Sequence, residues 1–389
     1  MQNEVNISDP GSLTMTRRKI GIWGFFGTNN FGDDYLLQLL IRQIRQITDN
    51  PIYVFSSSST SNGMECDVYH IPRSIKSSVM MAINLDTLII GPGGLLPNRS
   101  PGKIVFFILL ALLMRLRSKK VGIIGLGIGD ANFSSSLTRW LLNVLFSVAS
   151  TVIIRHSLDG KLILWKRNKK KVKTSLDYLL SSHDMFAEDN AKPRDGIVFS
   201  LADIFSDNEK EREVFVDGIC LVIQRLLSRG IPVTLIGLTN ATDSILNRII
   251  VQRLGSNRVT CLTYGIDDTK DILASFSKAS ITVAMRFHAL VLSLYNETPT
   301  YTIAYSDKLE WLCDQMGLEE YLQRICVDEK LYYEKIVRLD AHIMLTGLEK
   351  LAQESKTIRG CIHRQISDVK EDIDQCYNKG LREVLAEAL

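Results

Sequence analysis

The sequence predicts an α/β protein made of two doubly wound, Rossmann-like domains facing a central cleft. Three observations carry this. Short β-branched runs without polar alternation recur along the chain, each followed by a helical pattern, as expected of parallel strands covered on both faces. Glycine clusters stand where such strands end, at 91–94 and 125–129. The whole theme restarts after a polar, aperiodic stretch at 187–195 that contains Pro193. At 389 residues the chain is long enough for two domains of ordinary size.

Taken in order, 19–24 reads as a strand, followed by a loop over 25–33 and a helix over 34–47. Strands follow at 51–56 and 85–90, the latter running into Gly91-Pro92-Gly93-Gly94. A helix over 104–116, a strand over 119–125, a helix over 138–150 and a strand over 151–155 complete the first half. In the second half, strands at 196–201, 232–237, 259–263, 281–285 and 300–304 alternate with helices at 210–229, 243–254, 269–279 and 288–295. Beyond 307 the chain reads as helical, with candidates at 309–316 and 332–355. The expected division is a disordered lead-in over 1–18, an N-terminal domain over 19–186 on the acceptor side and a linker over 187–195. A C-terminal domain over 196–330 with the donor or anion site follows, then C-terminal helices over 331–389. Two such domains in tandem suggest a GT-B-like architecture, with ligands at the carboxyl ends of the strands.

Composition narrows the function classes. Hydrophobic residues at 46% and charged residues at 23% are ordinary for a packed enzyme, and a net charge of +3 gives no reason to expect a nucleic-acid partner. The seven cysteines are scattered and never paired as CxxC, and the six histidines show no HxxxH spacing. Reduced thiols in a cytoplasmic protein and no metal site are therefore expected. The first 18 residues lack the apolar core of a secretion signal. The apolar stretch at 104–114 has eleven residues, against the roughly 20 needed to span a bilayer. The stretch at 140–154 splits into a helix end and a strand.

Four clusters offer chemistry. In the loop 27–34, Asp33 and Asp34 fit capping and first-turn positions of a helix. The sharper alternative makes Asn30 and Asp33 ligands for sugar hydroxyls. The clusters at 91–94 and 125–129 lack a convincing GxGxxG setting, and no P-loop follows, so a dinucleotide fingerprint is weak. Arg155-His156 closes a strand, either as a surface feature or as part of a site. Arg286-Phe287-His288 follows a buried strand and opens a helix, so a guanidinium and an imidazole meet the favourable potential of a helix N-terminus, a natural anion site. The basic runs at 115–120 and 166–173 read as solvated faces. The alternative is a peripheral membrane contact, docking on anionic lipid headgroups or a lipid-diphosphate acceptor.

In this order the motifs resemble those of the polysaccharide pyruvyltransferase family, from about Lys19 to Tyr321. The matching stretches are Asn30-Phe31-Gly32-Asp33-Asp34, Gly91-Pro92-Gly93-Gly94, Gly125-Leu126-Gly127-Ile128-Gly129-Asp130, Arg155-His156, Asp177, Arg286-Phe287-His288-Ala289, Tyr305-Ser306-Asp307-Lys308 and Gln315-Met316-Gly317-Leu318. Pro92 interrupts the glycine triplet, Asn98 stands near where an acid is common, His156 replaces an Asp and Phe287 a Leu. The resemblance implies a GT-B-like fold and transfer of pyruvate from phosphoenolpyruvate to two hydroxyls of a sugar, giving a cyclic ketal. The acceptor would be a cell-surface polysaccharide or its lipid-linked precursor, with no redox cofactor and no metal.

The residue types suit that chemistry. Arg155 and Arg286 would clamp the phosphate and carboxylate, beside Gly93, Gly94 and Gly127. His288 would serve as general acid or phosphate-side donor, and Asn30, Asp33 and Asp177 would orient the sugar. Two other readings remain. A nucleotide-sugar glycosyltransferase would take its base and ribose contacts from 237–243 and 264–267. A non-catalytic partner in polysaccharide assembly would explain the departures from the family motifs.

Overall fold

The computed structural model describes residues 17–57, 67–96, 100–129, 132–156, 161–181, 194–205, 208–255, 257–325 and 339–386. The expected lead-in, apart from Arg17 and Arg18, and most of the expected linker lie outside them, as do Asn98 and Asp130.

The N-terminal sheet is parallel throughout. Its strands are β1 (Ile20–Phe26), β2 (Ile52–Ser56), β3 (Val68–Pro72), β4 (Thr87–Ile90), β5 (Gly93–Leu96), β6 (Lys120–Ile128), β7 (Thr151–Ile154) and β8 (Val172–Thr174). They lie in the order β3-β2-β1-β4-β6-β7-β8, with β5 paired to β6. Helices α1 (Phe31–Arg45), α2 (Ile75–Asn84), α3 (Pro101–Leu116) and α4 (Ser136–Val148) link them. The central strands are buried apart from Lys120 at the start of β6, the reason they read as continuous apolar runs. The strands β3, β5 and β8 and the helix α2 were not anticipated. Those strands are three to five residues long, and both β3 and β8 are half-exposed edges whose polar residues blur the pattern.

The C-terminal sheet, also parallel, comprises β9 (Ile197–Ser200), β10 (Val233–Gly237), β11 (Val259–Thr263), β12 (Ile281–Ala284), β13 (Thr300–Ala304) and β14 (Leu322–Arg324). Its order, β11-β10-β9-β12-β13-β14, is the doubly wound 3-2-1-4-5-6 arrangement. Helices α5 (Glu209–Ser228), α6 (Asn240–Leu254), α7 (Thr269–Lys278), α8 (Phe287–Tyr295) and α9 (Asp307–Gln315) connect the strands. In both sheets the winding reverses between the first strand and the fourth of its series. The loops after β1, β4 and β12 therefore stand at topological switch points, where open α/β sheets bind ligands.

The C-terminal segment differs from expectation. In place of a helix over 332–355 followed by further helices, α10 (Ala341–Leu385) is one helix of 45 residues that serves both domains. Near its start Gly347 packs on Tyr301 of β13. Near its end Gly380 packs on Ile153 of β7 and Val384 on Gly122 of β6. Its buried stripe (Met344, Leu351, Ile362, Ile373, Tyr377, Leu381) joins the core that runs through both sheets. Residues 341–385 thus form a strap across both sheets. A stripe of helical period predicts a helix, but the partner of that stripe is a tertiary fact.

Candidate active site

The site forms where three loops of the N-terminal sheet meet the start of α8. Asn30 is the N-cap of α1 and accepts from Gly32 N at 3.2 Å, with Asp33 and Asp34 in the first turn. Asp34 Oδ1 accepts from Gly27 N at 2.7 Å, which closes the loop; the cap itself is Asn30 rather than Asp33 or Asp34, because the helix starts earlier than expected. Asp33 points into the cleft instead, held by Asn30 Nδ2 at 3.1 Å and by the Gly94 backbone. This loop also joins the domains. Phe31 N donates to Leu238 O at 2.9 Å, Asn240 N to Asn29 O at 3.2 Å, and Tyr264 Oη to Asp34 Oδ2 at 3.3 Å.

Two glycines make the close approach possible. A Cβ on Gly32 would overlap the imidazole of His288, and one on Gly93, whose φ is +116°, would overlap the Asp33 carboxylate. Gly93 therefore stands behind Asp33, while Gly94 and Gly127 line the cleft.

Arg155 follows β7 and is 6% exposed. Its Nη1 donates to Asp177 Oδ2 at 2.9 Å and lies 3.4 Å from His288 Nε2, while its Nε and Nη2 face Gly127 and Gly94. Asp177 is 2% exposed, and its other oxygen accepts from Leu179 N at 3.1 Å. It sits behind Arg155 and fixes that side chain, away from the sugar-facing position expected of it. A guanidinium can only donate, so His288 Nε2 accepts and the ring proton falls on Nδ1.

Arg286 is the N-cap of α8. Its Nε lies 3.1 and 3.0 Å from the two oxygens of Asp243, and its Nη2 donates to Asp243 and, at 3.0 Å, to Thr242 Oγ1. The two-pronged edge expected to grip an anion is therefore engaged by Asp243. Arg286 contributes its charge to the cleft, where Tyr305 is its further hydrogen-bond partner.

Phe287 carries an arrangement that the sequence did not disclose. Arg155 lies 5.0 Å from its ring centroid and the Lys308 ammonium 5.6 Å, so one aromatic face system positions two cations. Lys308, given no role at the outset, sits at the start of α9 just after β13, another strand end. That position was the signal that could have found it.

Two chambers meet at Arg155, Gly94, Phe287 and Lys308. One, of 220 Å³, is bordered by Asn30, Asp33, Arg286, His288 and Tyr305. The other, of 160 Å³, is bordered by Gly127, His156, Lys161 and Trp311. Burial pushes the Asp33 carboxyl up to about 6, against the opposing pull of Arg155 and Lys308. Burial, then the charges of Arg155, Lys308 and Arg286, hold His288 well below the usual imidazole range, so it is neutral at pH 7. Among the described residues, no group of three or more His, Cys, Asp or Glu is placed to hold a metal ion.

Two doubly wound domains with a polar, cation-lined cleft between their switch points define a protein of GT-B-like architecture. The sequence matches the family described as polysaccharide pyruvyl transferase over residues 30–307, and the chain belongs to that family. No curated protein matches the sequence. Among solved structures, the chain is similar to Os79 T291V from O. sativa in complex with UDP (TM-score 0.60, 11% identity, 96% of this chain and 100% of that one). It is also similar to a UDP-glucosyltransferase from Polygonum tinctorium (0.58, 10%, 96% and 99%). A third similar structure is a putative UDP-N-acetylglucosamine 2-epimerase from Listeria monocytogenes (0.57, 8%, 95% and 96%). At such identities the likeness is one of fold.

Proposed function

We propose that the protein transfers pyruvate from phosphoenolpyruvate to two hydroxyls of a sugar in a cell-surface polysaccharide or its lipid-linked precursor. The observation that carries this is one cavity that combines Arg155, Arg286 and Lys308 with a carboxyl, Asp33, that titrates near 6. Phosphoenolpyruvate brings a phosphate and a carboxylate, which call for several cations. Its enol carbon needs a proton donor that holds its proton near neutral pH.

In this reading Arg155, oriented by Asp177 and Phe287, grips the donor through its Nε–Nη2 edge, with Lys308 and Arg286 completing the charge. Neutral His288, packed against Gly32 and accepting from Arg155, borders the phosphate side. Asp33 protonates C3 of the enol, a sugar hydroxyl bonds to C2, and the proton that hydroxyl gives up returns to the Asp33 carboxylate. The C2–O bond to phosphate then breaks, and the second hydroxyl adds to the oxocarbenium carbon. Its proton leaves with phosphate, so the products are the ketal and inorganic phosphate. An incoming anion raises the proton affinity of Asp33, which couples donor binding to readiness of the acid. Asn30 and Asp33 form the acceptor side, and Asp177 acts through Arg155. The enzyme works in the cytoplasm at the inner face of the membrane, without a cofactor.

The nucleotide-sugar alternative loses support from the loops it relied on. Asp243 is buried and engaged by Arg286, so it is closed to a ribose, and one oxygen of Asp267 is taken by Thr263 N. Isothermal titration separates the readings. Saturable binding of phosphoenolpyruvate with silence toward UDP and CMP sugars is expected. Nucleotide binding would establish the glycosyltransferase, and silence with every donor the non-catalytic partner.

A further inference from the structure

We propose that the outward face of α2, α3 and α4, together with the basic segment 161–173, docks the protein on an anionic lipid bilayer. The inference stands whether or not the donor is phosphoenolpyruvate.

The face begins with α3. Val105, Leu109, Leu112 and Leu116 recur at spacings of four, three and four. They form one stripe directed away from the core-facing residues Ile104, Phe107, Ile108 and Met114. Leu109 is 62% exposed and Leu116 85%. The neighbouring helices repeat the pattern, with Ile75, Val79 and Ile83 exposed on α2 and Leu137 and Trp140 exposed on α4. Both helices pack beside α3, so the stripes lie side by side. Ile163, 88% exposed, and Trp165 extend the surface, on a segment tied to α4 through Asn143, which bonds Ile163 O and Trp165 N. Scattered exposed apolar residues need no explanation, but three adjacent apolar helix faces mark an interaction surface.

Charge identifies the occupant. Between residues 87 and 176 the sequence holds fifteen Lys and Arg against two Asp, although the whole chain carries only +3. None of α2, α3 and α4 contains an acidic residue. The basic groups converge at one end of the face, where Lys171 donates to Ser147 O and Ala149 O, and burial, then the charges of Arg167 and of Arg115 at the close of α3, lowers its ammonium. A second copy of the chain would bring this field onto itself and be repelled. An anionic bilayer meets both requirements. Its headgroups attract the lysines and arginines, and its interface accepts tryptophan and leucine side chains from helices lying in its plane. No helix among the described residues is long and apolar enough to cross a membrane, so contact would be with one leaflet. The face also borders the cleft. Lys103, in the first turn of α3, lies 4.6 Å from the ring centroid of Phe25, and Phe25 lines the 220 Å³ chamber. An acceptor anchored in the same leaflet would meet the cleft at this edge.

Vesicle co-sedimentation tests the surface with the full chain. Binding is expected to vesicles of phosphatidylcholine containing about a third phosphatidylserine, to weaken with salt, and to be lost on pure phosphatidylcholine. The double variant Leu109→Asp/Leu116→Asp and the triple variant Lys166→Glu/Lys169→Glu/Lys170→Glu should each lower partitioning roughly tenfold or more. Tm and titration of phosphoenolpyruvate should be unchanged in both. No binding to anionic vesicles, or variants that bind like wild type, would overturn the proposal. So would a dimer detected by light scattering that Leu109→Asp dissolves, which would assign the face to a second copy. Because donor titration is read separately, failure of the pyruvyl-transfer reading leaves this result standing.

Discussion

Gly32 and His288 meet across the domain junction so closely that a Cβ on the glycine would occupy the imidazole ring. The first turn of α1 in one domain and the second residue of α8 in the other thus build one wall of the active site. Gly32→Ala must push His288 off its contact with Arg155 or part the two helices. Overpacking of this kind costs about 1–3 kcal/mol of stability. We expect a lower Tm together with a fall in turnover of roughly a hundredfold, larger than the stability change accounts for. An alanine variant with wild-type turnover would show that the contact is incidental.

Asp177 lies beneath Arg155, both nearly inaccessible. Asp177→Asn leaves the guanidinium buried without its counter-charge, which in such settings costs about 3–5 kcal/mol. Chemical denaturation should register that loss. Protein that still folds should show a raised KM for phosphoenolpyruvate, with less change in the affinity for acceptor.

Asp33 makes a pH signature. Its folded pKa of about 6 lies above the ordinary 3.8, so its contribution to stability is complete below 3.8 and lost as pH rises through 6. Relative to Asp33→Asn, the wild type should lose up to about 3 kcal/mol between pH 4 and pH 8, read from denaturation at each pH. As the acid, Asp33 should also make kcat/KM fall about tenfold per unit well above pH 6. The asparagine variant should be slow and flat across that range. A variant that keeps the wild-type profile would remove Asp33 from the proton transfer.

The ring of Phe287 positions both Arg155 and Lys308. Phe287→Leu keeps the apolar bulk and removes the aromatic face. Each cation–π contact is worth about 0.5–2 kcal/mol, so KM for phosphoenolpyruvate should rise about five- to tenfold while kcat changes little. Equal losses in both would place the ring in the chemistry itself.

Much of this architecture is legible in the chain. The buried strands announce themselves because parallel sheets need no polar alternation, and each glycine cluster marks a strand's carboxyl end. Asn30, Asp33, Arg155, Arg286 and His288 were identifiable for the same reason: they stand at those ends, and the winding of both sheets points those ends at one cleft. The short strands β3, β5 and β8 were hidden because three to five residues at an edge carry too little periodicity.

Local pattern determined which residues could face the cleft, because strand and helix periods are properties of neighbouring residues. Partnership was decided elsewhere. That Asp243 engages the gripping edge of Arg286, that Asp177 lies behind Arg155, that α10 straps both sheets, and that Asp33 keeps its proton near pH 6 all depend on groups tens to hundreds of residues apart. Burial and charge act through distance in space, and only the closed tertiary structure sets those distances.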